Sequence, residues 1–362
     1  MADIIVIGGG IAGISATARL SDKCSVILLE KESALGYHAS GRSAASFIRD
    51  YGNQTTRELN ELSFDYLRSA NEGVLSDRGL MVLAKKNQID KFTATSESFG
   101  LNTISPDEAF QKIPIIDKQT VSFASYREDV YDLDTNQLIH NFQREAKKNN
   151  AQIKTNTFVK NIQYINREWI VTTSNSEYKS SIIVNAAGAW VDQISLMAGI
   201  GSIGFSPFRR SIARIPLSDA ISVSNWPFFS GPDEDWYAKP DAGQLLVSPA
   251  EEVLVEPHDA WAEELTLAQG ISRYEEFVTI PVTKMSSNWA GLRTFSPDRS
   301  LVIGPSSENS TFFFMAGQGG YGFQTAPAAS KLLSELIMAS SHDLNKKTID
   351  SLSPKRFTKV LR

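Results

Sequence analysis

The hydrophobic pattern at the start of the chain predicts a strand, a turn, a helix and a second strand. Residues 3–7 form a short apolar run, a glycine-rich stretch covers 8–13, and residues 14–20 are small and mostly apolar with helical spacing. A second apolar run over 24–29 ends in Glu30. This order indicates a βαβ unit that opens a doubly wound sheet.

The remaining pattern predicts helices that are separated by β-rich stretches. Apolar residues recur at helical spacing over 55–70, and 135–149 has the polar face of a surface helix. Ser105 before Pro106, with acidic residues next, is typical of a capped helix start. Strands are predicted at 79–84, 157–159, 169–172, 181–184, 209–215 and 311–316 and within 226–247, and helices at 263–277 and 325–339.

Segments typical of nucleotide sites lie at the front, middle and back of the chain, with β-rich aromatic segments between them. We therefore predict an α/β and α+β fold, in which a Rossmann-like domain accompanies a discontinuous, mainly antiparallel-sheet domain. The cofactor domain is expected to contain residues 1–78, 135–205 and 292–362. The substrate domain is expected to contain residues 79–134 and 206–291.

Composition excludes several classes of protein. The 362 residues carry a formal net charge of −5, which argues against a nucleic-acid partner. Cys24 is the single cysteine, and His38, His140, His258 and His342 are scattered, so neither an internal disulfide nor a metal site is predicted. The start lacks a signal-peptide pattern and no run reaches about 18 apolar residues. We expect a cytoplasmic protein without a transmembrane segment, and leave peripheral contact with the inner membrane open.

The glycine-rich turn predicts a dinucleotide site. Gly8 allows the tight turn, Gly10 lets the backbone approach a pyrophosphate, and Gly13 lets the helix pack on the strand. The phosphates then lie on a helix N-terminus, where free N–H groups and the helix dipole favour anions. Glu30, twenty residues beyond Gly10, is at the distance expected for a hydrogen bond to a ribose hydroxyl.

Several widely spaced motifs resemble the D-amino-acid oxidase (DAO) superfamily of FAD-dependent oxidoreductases, which also contains glycine oxidase and sarcosine oxidase. Within it, the motifs are most similar to the bacterial FAD-dependent D-arginine and D-amino-acid dehydrogenases. The motifs are Gly36–Ala45, Val184–Trp190, Arg209–Ser211, Tyr237–Gly243, Trp289–Arg293 and Gln318–Gly322. The resemblance implies the DAO/glutathione-reductase-like fold and an FAD cofactor.

By this resemblance, FAD contacts extend well beyond the glycine turn. Residues 41–45 are expected to wrap the pyrophosphate and flavin, and the loop 317–322 to open a helix whose N-terminus faces the flavin. Val159 resembles the residue whose backbone meets the adenine, although ordinary core packing explains it equally well. The expected contacts are Gly8, Gly10, Ala12, Gly13, Glu30, Lys31, Gly41, Arg42, Ser43, Ala44, Ala45, Val159, Gly188, Gly317, Gly319, Gly320, Tyr321 and Gly322.

The resemblance also implies how FAD is attached. Some relatives bind the flavin covalently through a cysteine near the segment that matches residues 291–298, and this chain has none there. Cys24 lies near the second strand and is expected to be buried packing. FAD is therefore expected to bind noncovalently.

The substrate side follows from the same motifs. Arg210 and Arg293 match the family's carboxylate clamp, for which the planar fork of arginine is suited, although neighbouring Arg209 is an alternative to Arg210. Tyr51 and Tyr237 match tyrosines that line the pocket, and Gly320 matches the backbone carbonyl that holds the substrate amine. The implied reaction is hydride transfer from Cα to flavin N5, giving an imine that hydrolyses to a 2-oxo acid and ammonia.

One departure from the D-arginine dehydrogenase pattern suggests a different substrate. There an acid faces the basic side chain of the substrate, and here that position is Leu80, with Ser46 and Ile48 nearby. Leucine cannot pair with a cation, which predicts a preference for neutral or apolar D-amino acids. Asp50 and Asp77 lie close in sequence and remain candidates for binding a cation.

Three alternatives stay open. A sarcosine- or glycine-oxidase-like enzyme would act on small amines with oxygen, and a non-catalytic flavin-binding protein would not turn over at all. The handedness of the substrate is set by pocket geometry, so an L-specific enzyme is also possible. The electron acceptor, whether a quinone, a carrier protein or oxygen, is not identified by any motif.

Overall fold

A computed structural model of the chain describes residues 2–218 and 220–357. The strands are β1 Ala2–Ile7, β2 Val26–Leu29, β3 Ser46–Phe47, β4 Leu75–Asp77, β5 Leu80–Ala84, β6 Asn102–Ile104, β7 Phe123–Arg127, β8 Tyr131–Leu133, β9 Gln152–Lys154, β10 Val159–Ile165, β11 Glu168–Thr173, β12 Glu177–Asn185, β13 Ser206–Ile215, β14 Phe228–Ser230, β15 Tyr237–Asp241, β16 Gln244–Ser248, β17 Val253–Leu254, β18 Ser287–Phe295, β19 Val302–Pro305 and β20 Phe312–Ala316. The helices are α1 Ile11–Leu20, α2 Gln54–Ser69, α3 Ile89–Ser98, α4 Pro106–Lys112, α5 Thr135–Lys148, α6 Val191–Met197, α7 Glu264–Glu275, α8 Gly322–Ile337 and α9 Lys346–Leu352.

The first sheet has a parallel centre, because β1 pairs in parallel with β2 and β12, and β12 pairs in parallel with β20. Its strand order is β10-β11-β12-β1-β2-β9. Strand β20 also pairs with β12, and β19 pairs with β20. Residues 4–7 of β1 and all of β2 are buried and apolar, as expected for a parallel sheet that is covered on both faces. Helices α1, α5 and α8 pack together in the apolar core on one of those faces.

The second sheet is mainly antiparallel and has nine strands. Its order is β17-β13-β16-β15-β14-β5-β7-β6, with β18 on the other side of β13. Strands β13 and β18 pair over their whole lengths, from Ser206 opposite Phe295 to Arg214 opposite Ser287. A small third sheet has the strand order β3-β8-β4, and its neighbouring strands are antiparallel. This layout agrees with the predicted fold class.

The domain boundaries remain a prediction, and two elements bear on where they would lie. Strand β18 continues through the expected boundary between residues 291 and 292. Strand β8, in the expected substrate segment, pairs with β3 and β4 of the expected cofactor segment. Both elements join the two halves of the molecule rather than separating them.

Most predicted elements are present, but several differ at their starts, as β12 begins at Glu177 and β13 at Ser206, both earlier than predicted. Ser105 accepts from the Glu108 N–H and begins α4 with a capping box, as predicted. Helix α8 begins at Gly322, not at residue 325, because the glycine loop leads directly into it. Residues 157 and 158 precede β10, since Asn156 has φ 51° and the Thr157 N–H donates to the Glu30 carbonyl. That turn moves them out of the expected strand and across the end of β2.

Candidate active site

The glycine turn between β1 and α1 requires glycine at two positions. Gly8 has φ +104°, and a Cβ there would stand 2.5 Å from the Ala186 carbonyl oxygen. A Cβ at Gly13 would stand 1.8 Å from the Gly8 carbonyl oxygen, so α1 can pack on the turn only without a side chain at that position. The chain therefore places the N-terminus of α1 directly at the end of β1.

Two neighbouring cavities meet at this turn, and we name them by their walls. The turn cavity is bordered by the glycine turn, by the end of β2 and by the Ala187–Trp190 turn. The arginine cavity lies between the two large sheets and contains Arg210 and Arg293. They share Gly10, Ala39, Ser40, Arg42, Ala186, Gly188, Gly291 and Leu292 as walls. Together they form one extended site of the kind that a dinucleotide needs.

The structure brings most of the predicted cofactor residues to these cavities. Gly8, Gly10, Glu30, Lys31, Arg42, Val159 and Gly188 line the turn cavity. Gly10, Ala12, Arg42, Ser43, Ala44, Ala45, Gly188, Gly319, Gly320 and Gly322 line the arginine cavity. Gly13, Gly41, Gly317 and Tyr321 are in neither lining. Tyr321 contacts the lining indirectly, because its ring packs 5.1 Å from that of Tyr51, which lines the arginine cavity.

Glu30 has a fixed orientation at the turn cavity. Its carboxylate accepts hydrogen bonds from the backbone N–H groups of Gly9, at 2.5 Å, and Glu32, at 2.8 Å. The side chain is 8% exposed. Trp190 and His38 line the same cavity with their rings 4.7 Å apart, and the Lys31 ammonium lies 3.9 Å from the Trp190 ring centre. The sequence did not predict that Trp190 would line this cavity.

His38 is held as a structural group. Its Nε2 lies 2.9 Å from Glu32 Oε1, and its ring also packs on Tyr37. Burial lowers the pKa of His38, and the hydrogen bond with Glu32 only partly opposes that effect. These contacts make His38 a hydrogen-bonding residue of this loop.

Arg210 and Arg293 come from neighbouring strands. Arg210 on β13 is opposite Gly291 on β18, and Arg293 is opposite Phe208, so the two arginines are diagonal neighbours on one face. Both line the arginine cavity. Arg209 faces the other side of the sheet because side chains alternate along a strand, and there it pairs with Glu263. The geometry thus favours Arg210 over Arg209 as the second arm of a clamp.

The two guanidinium groups differ in their surroundings. Burial, followed by repulsion from Arg293, lowers the pKa of Arg210. Burial also acts to lower the pKa of Arg293, but Tyr51, Tyr237 and Glu252 outweigh it and the net pKa is raised. Arg210 has Glu252 at 3.4 Å, whereas Arg293 makes no ion pair with any of the residues described. Both remain cationic at neutral pH and suit an anionic ligand.

Apolar and aromatic side chains form another wall of the arginine cavity. Leu80 is 3% exposed, lines the cavity and packs with Ile48 and Val130. Tyr237 stacks on Phe228 at 5.1 Å, and the ring of Tyr51 lies 6.1 Å from that of Phe99. A ligand held by the arginines therefore also meets an apolar surface.

The acidic residues near the arginine cavity differ in whether they line it. Asp50 pairs with Arg127 at 2.8 Å, and neither Asp50 nor Asp77 belongs to the described cavity lining. Glu234, which sequence analysis missed, does line the arginine cavity. The residue as a whole is exposed, yet partial burial of its carboxyl group raises the pKa of Glu234, and Arg210 and Arg293 oppose the rise. It lies in an irregular turn between β14 and β15, where no sequence pattern marked it.

Buried polar atoms without protein partners provide a test of whether a polar cofactor fits. Within the described chain, no hydrogen-bond partner is found for Ser46 Oγ, Arg210 Nε, Thr294 Oγ1, Gln318 Nε2 or Gln324 Nε2. All five residues line the arginine cavity. An unsatisfied buried donor or acceptor costs about 1–3 kcal/mol, so this surface is built for a ligand with many polar atoms. The N-terminus of α8 adds backbone N–H groups beside Gly322 and Gln324.

Other kinds of site find no support in the described part of the chain. There, no group of three or more His, Cys, Asp or Glu residues is placed to hold a metal. No helix within residues 2–218 and 220–357 is long and apolar enough to cross a membrane. Cys24 precedes β2 and therefore lies at the opposite end of the parallel strands from Gly8.

Comparison with known proteins places these features in a family. Residues 3–336 match the family model DAO, described as FAD dependent oxidoreductase. The chain is 22% identical to FAD-dependent oxidoreductase domain-containing protein 1 of Bos taurus, over 93% of this chain and 81% of that protein. The fold is similar to that of L-proline dehydrogenase from P. horikoshii, with a TM-score of 0.83, 23% identity, and 98% and 97% of the two chains covered. It is also similar to glycine oxidase from Geobacillus kaustophilus, with a TM-score of 0.84, 17% identity, and 98% of each chain covered.

The comparisons confirm the predicted fold class and the predicted cofactor, FAD. They support the wider resemblance to the DAO family of FAD-dependent oxidoreductases, and the two solved structures show the shared fold. The narrower likeness to bacterial D-arginine dehydrogenase rests on the motifs alone.

Proposed function

The chain belongs to the DAO family of FAD-dependent oxidoreductases, and from this premise we propose that it oxidises the C–N bond of a free amino acid. The substrate would be a D-amino acid with a neutral or apolar side chain. The products would be an imine, hydrolysed in water to a 2-oxo acid and ammonia, and reduced cofactor.

The observation that carries the proposal is the pair of arginines in the arginine cavity. Arg210 and Arg293 project from one face of paired strands, and Arg293 makes no ion pair with another described residue. A carboxylate can accept two parallel hydrogen bonds from a guanidinium fork. An arginine that has no ion-pair partner among the described residues and lies in the same cavity as the unsatisfied polar atoms is therefore well suited to anchor the carboxylate of an amino acid.

The residues of the chain would position the substrate. When bound, FAD supplies the chemistry by accepting two electrons and the hydrogen removed from the substrate. Arg210 and Arg293 would fix the carboxylate, and Tyr51 and Tyr237 would donate hydrogen bonds or close the pocket. The Gly320 backbone lies against the Arg293 guanidinium, and by the motif resemblance its carbonyl would accept from the substrate amine. Holding these groups in one orientation can lower the barrier by several kcal/mol.

The apolar wall supports the proposed side-chain preference. Leu80, Val82, Phe99 and Phe228 line the cavity, and no acid stands at the position of Leu80. A substrate cation would be desolvated against these four side chains, none of which can pair with it, and that is costly. Apolar side chains such as those of D-Met, D-Leu or D-Phe would instead gain contact. D-configuration is proposed from the motif resemblance.

A second candidate is a glycine- or sarcosine-oxidase-like amine oxidase that uses oxygen. The similarity in fold to glycine oxidase from Geobacillus kaustophilus favours it, since the match covers 98% of each chain. Under this alternative the small amine would occupy the space beside the arginines, and the apolar wall would be left mostly unused. Production of hydrogen peroxide on turnover would favour the oxidase; turnover only with a quinone or a carrier protein would favour the dehydrogenase.

The deciding experiment is anaerobic reduction of the bound flavin by a panel of D-, L- and N-methyl amino acids. We expect D-Met, D-Leu and D-Phe to bleach the flavin fastest. Fastest bleaching by L-amino acids would overturn the proposed handedness, and by glycine or sarcosine would favour the second candidate. If no compound bleaches the flavin, the chain is a flavin-binding protein without amine-oxidising activity.

Attachment of FAD and location of the protein belong to the same proposal. Because Cys24 lies at the far end of the parallel strands, we expect acid precipitation to release all FAD into the supernatant. Flavin that stays with the protein pellet would contradict noncovalent binding. We propose a cytoplasmic location, with or without peripheral contact with the inner membrane, which fractionation of cells would test.

A further inference from the structure

A buried lysine stands directly behind the segment that lines the arginine cavity. Lys239 on β15 is 5% exposed. Its ammonium donates to the carbonyl oxygens of Ala44, at 2.6 Å, and Ala45, at 2.9 Å. Residues 44–46 line the arginine cavity, whereas Lys239 is not part of the described lining. The segment therefore has the cavity on one side and the ammonium on another.

Lys239 belongs to a chain of three charges. Its Nζ lies 2.8 Å from Asp132 Oδ1. The two groups form an ion pair, but their angles do not allow a hydrogen bond. Asp132 Oδ2 accepts from Arg78 Nε at 2.7 Å, and Arg78 also donates to the carbonyls of Ser224 and Trp226. Two cations and one carboxylate leave a net positive charge in this partly buried group, and of the three side chains only that of Lys239 donates to the cavity segment.

The backbone transmits the effect of the ammonium towards the cavity side. A trans peptide places its N–H opposite its C=O, so the Ser46 N–H points away from the Ala45 carbonyl that Lys239 holds. The Leu133 N–H also donates to the Ala45 carbonyl, which makes Ser46 and Asp132 a pair without mutual hydrogen bonds. A peptide whose carbonyl accepts from a cation becomes a stronger donor at its N–H.

We propose that Lys239 is a positioning residue for the flavin, which holds the Ala44–Ser46 backbone in place and raises the reduction potential of the bound FAD. A positive charge at short range in a poorly solvated region stabilises the more negative, reduced form of a redox group. The proposal rests on FAD binding, which the family establishes, and is independent of the substrate proposed above.

The test compares reduction potentials of the holoenzyme and three variants, measured by dye equilibration without substrate. Lys239→Gln keeps a hydrogen-bond donor but removes the charge. It should favour the oxidised form by tenfold or more, a drop of about 30 mV or more for a two-electron couple. Lys239→Arg should stay near the wild-type potential. Asp132→Asn removes the negative partner and should shift the potential in the opposite direction, upwards.

The opposite signs separate an electrostatic role from a structural one. If both Lys239→Gln and Asp132→Asn lower the melting temperature but leave the potential unchanged, Lys239 is only a packing residue and the proposal fails. The proposal fails also if both variants shift the potential in the same direction. Should Lys239→Gln not retain FAD, an upward shift in Asp132→Asn supports the proposal, and an unchanged or lowered potential overturns it. These outcomes do not depend on which amine is oxidised.

Discussion

The guanidinium of Arg293 lies against the backbone of Gly320. A Cβ built at Gly320 would stand 3.1 Å from Nη1 and 3.2 Å from Cζ of Arg293. The loop that precedes α8 and the strand β18 therefore meet at the proposed carboxylate anchor, and the absence of a side chain at Gly320 allows it.

Gly320→Ala is expected to displace the Arg293 guanidinium. Since small displacements of a positioning group can cost about 100-fold in rate, kcat/KM should fall by roughly 10- to 100-fold. Steady-state kinetics with the best amino-acid substrate measure this change. Gly201→Ala is the control, because Gly201 is exposed, has no positive φ, and a Cβ there would meet only the carboxylate end of Glu308. An unchanged kcat/KM in Gly320→Ala would contradict the role of this contact.

Arg293→Met should remove the main anchor for the substrate carboxylate. Loss of one partner from a buried charge pair costs about 2–5 kcal/mol, so kcat/KM should fall by roughly 30- to 5,000-fold. Arg293→Lys should not restore it fully, because a lysine lacks the planar fork.

Arg209→Met provides the matched control for that variant, because Arg209 occupies the same pair of strands but faces Glu263. It should lower stability more than substrate affinity. Competitive inhibition by simple carboxylates should weaken in Arg293→Met and persist in Arg209→Met. Equal inhibition of both variants would show that Arg293 does not bind the carboxylate.

Leu80→Glu should shift the substrate preference towards basic amino acids. A carboxylate on this wall would pair with a substrate cation, and charged hydrogen bonds contribute about 1.5–3 kcal/mol. We expect kcat/KM for D-Arg to rise by about tenfold or more, while that for D-Leu falls. Leu80→Gln has the same shape without the charge and should not show the gain. A gain of similar size in both variants would point to altered space rather than charge.

Glu234→Gln should change how stability depends on pH. Burial raises the pKa of Glu234 above 4.5, so the folded chain binds this proton more tightly than the unfolded chain. The resulting stabilisation is complete below pH 4.5 and is lost as the pH rises through the raised pKa. The melting temperature of Glu234→Gln relative to wild type should therefore increase from pH 4.5 upwards. A difference that stays constant with pH would contradict the raised pKa.

The nucleotide turn is the part of the site that local sequence predicts best. Gly13 acts through a clash with the Gly8 carbonyl oxygen five residues earlier, and Gly8 is favoured by its own φ of +104°, so these local constraints leave a readable spacing. The approach of Ala186 to Gly8 is a tertiary contact and adds nothing to that spacing. The choice between Arg209 and Arg210 is different. It depends on the face of β13 that meets the cavity, which is set by pairing with β18 some 80 residues later.

Glu234 and Lys239 show why the rest could not be predicted. Glu234 lies in an irregular turn, and its relation to Arg210 and Arg293 arises only when β14 and β15 are folded against β5. Lys239 meets Ala44 and Ala45 across almost 200 residues of chain. Neither contact follows from periodicity or motif spacing, because both depend on tertiary packing between separate segments.

The packing of α1 against α8 has a consequence for how the protein is made. A Cβ at Gly322 would stand 3.3 Å from Cγ2 of Ile11, so the first and last helices at the cofactor site are in direct contact. During synthesis, α8 must leave the ribosome before it can pack against α1 and complete that site. Until then the glycine turn lacks one wall of the site, so we expect stable FAD binding only after α8 has been synthesised.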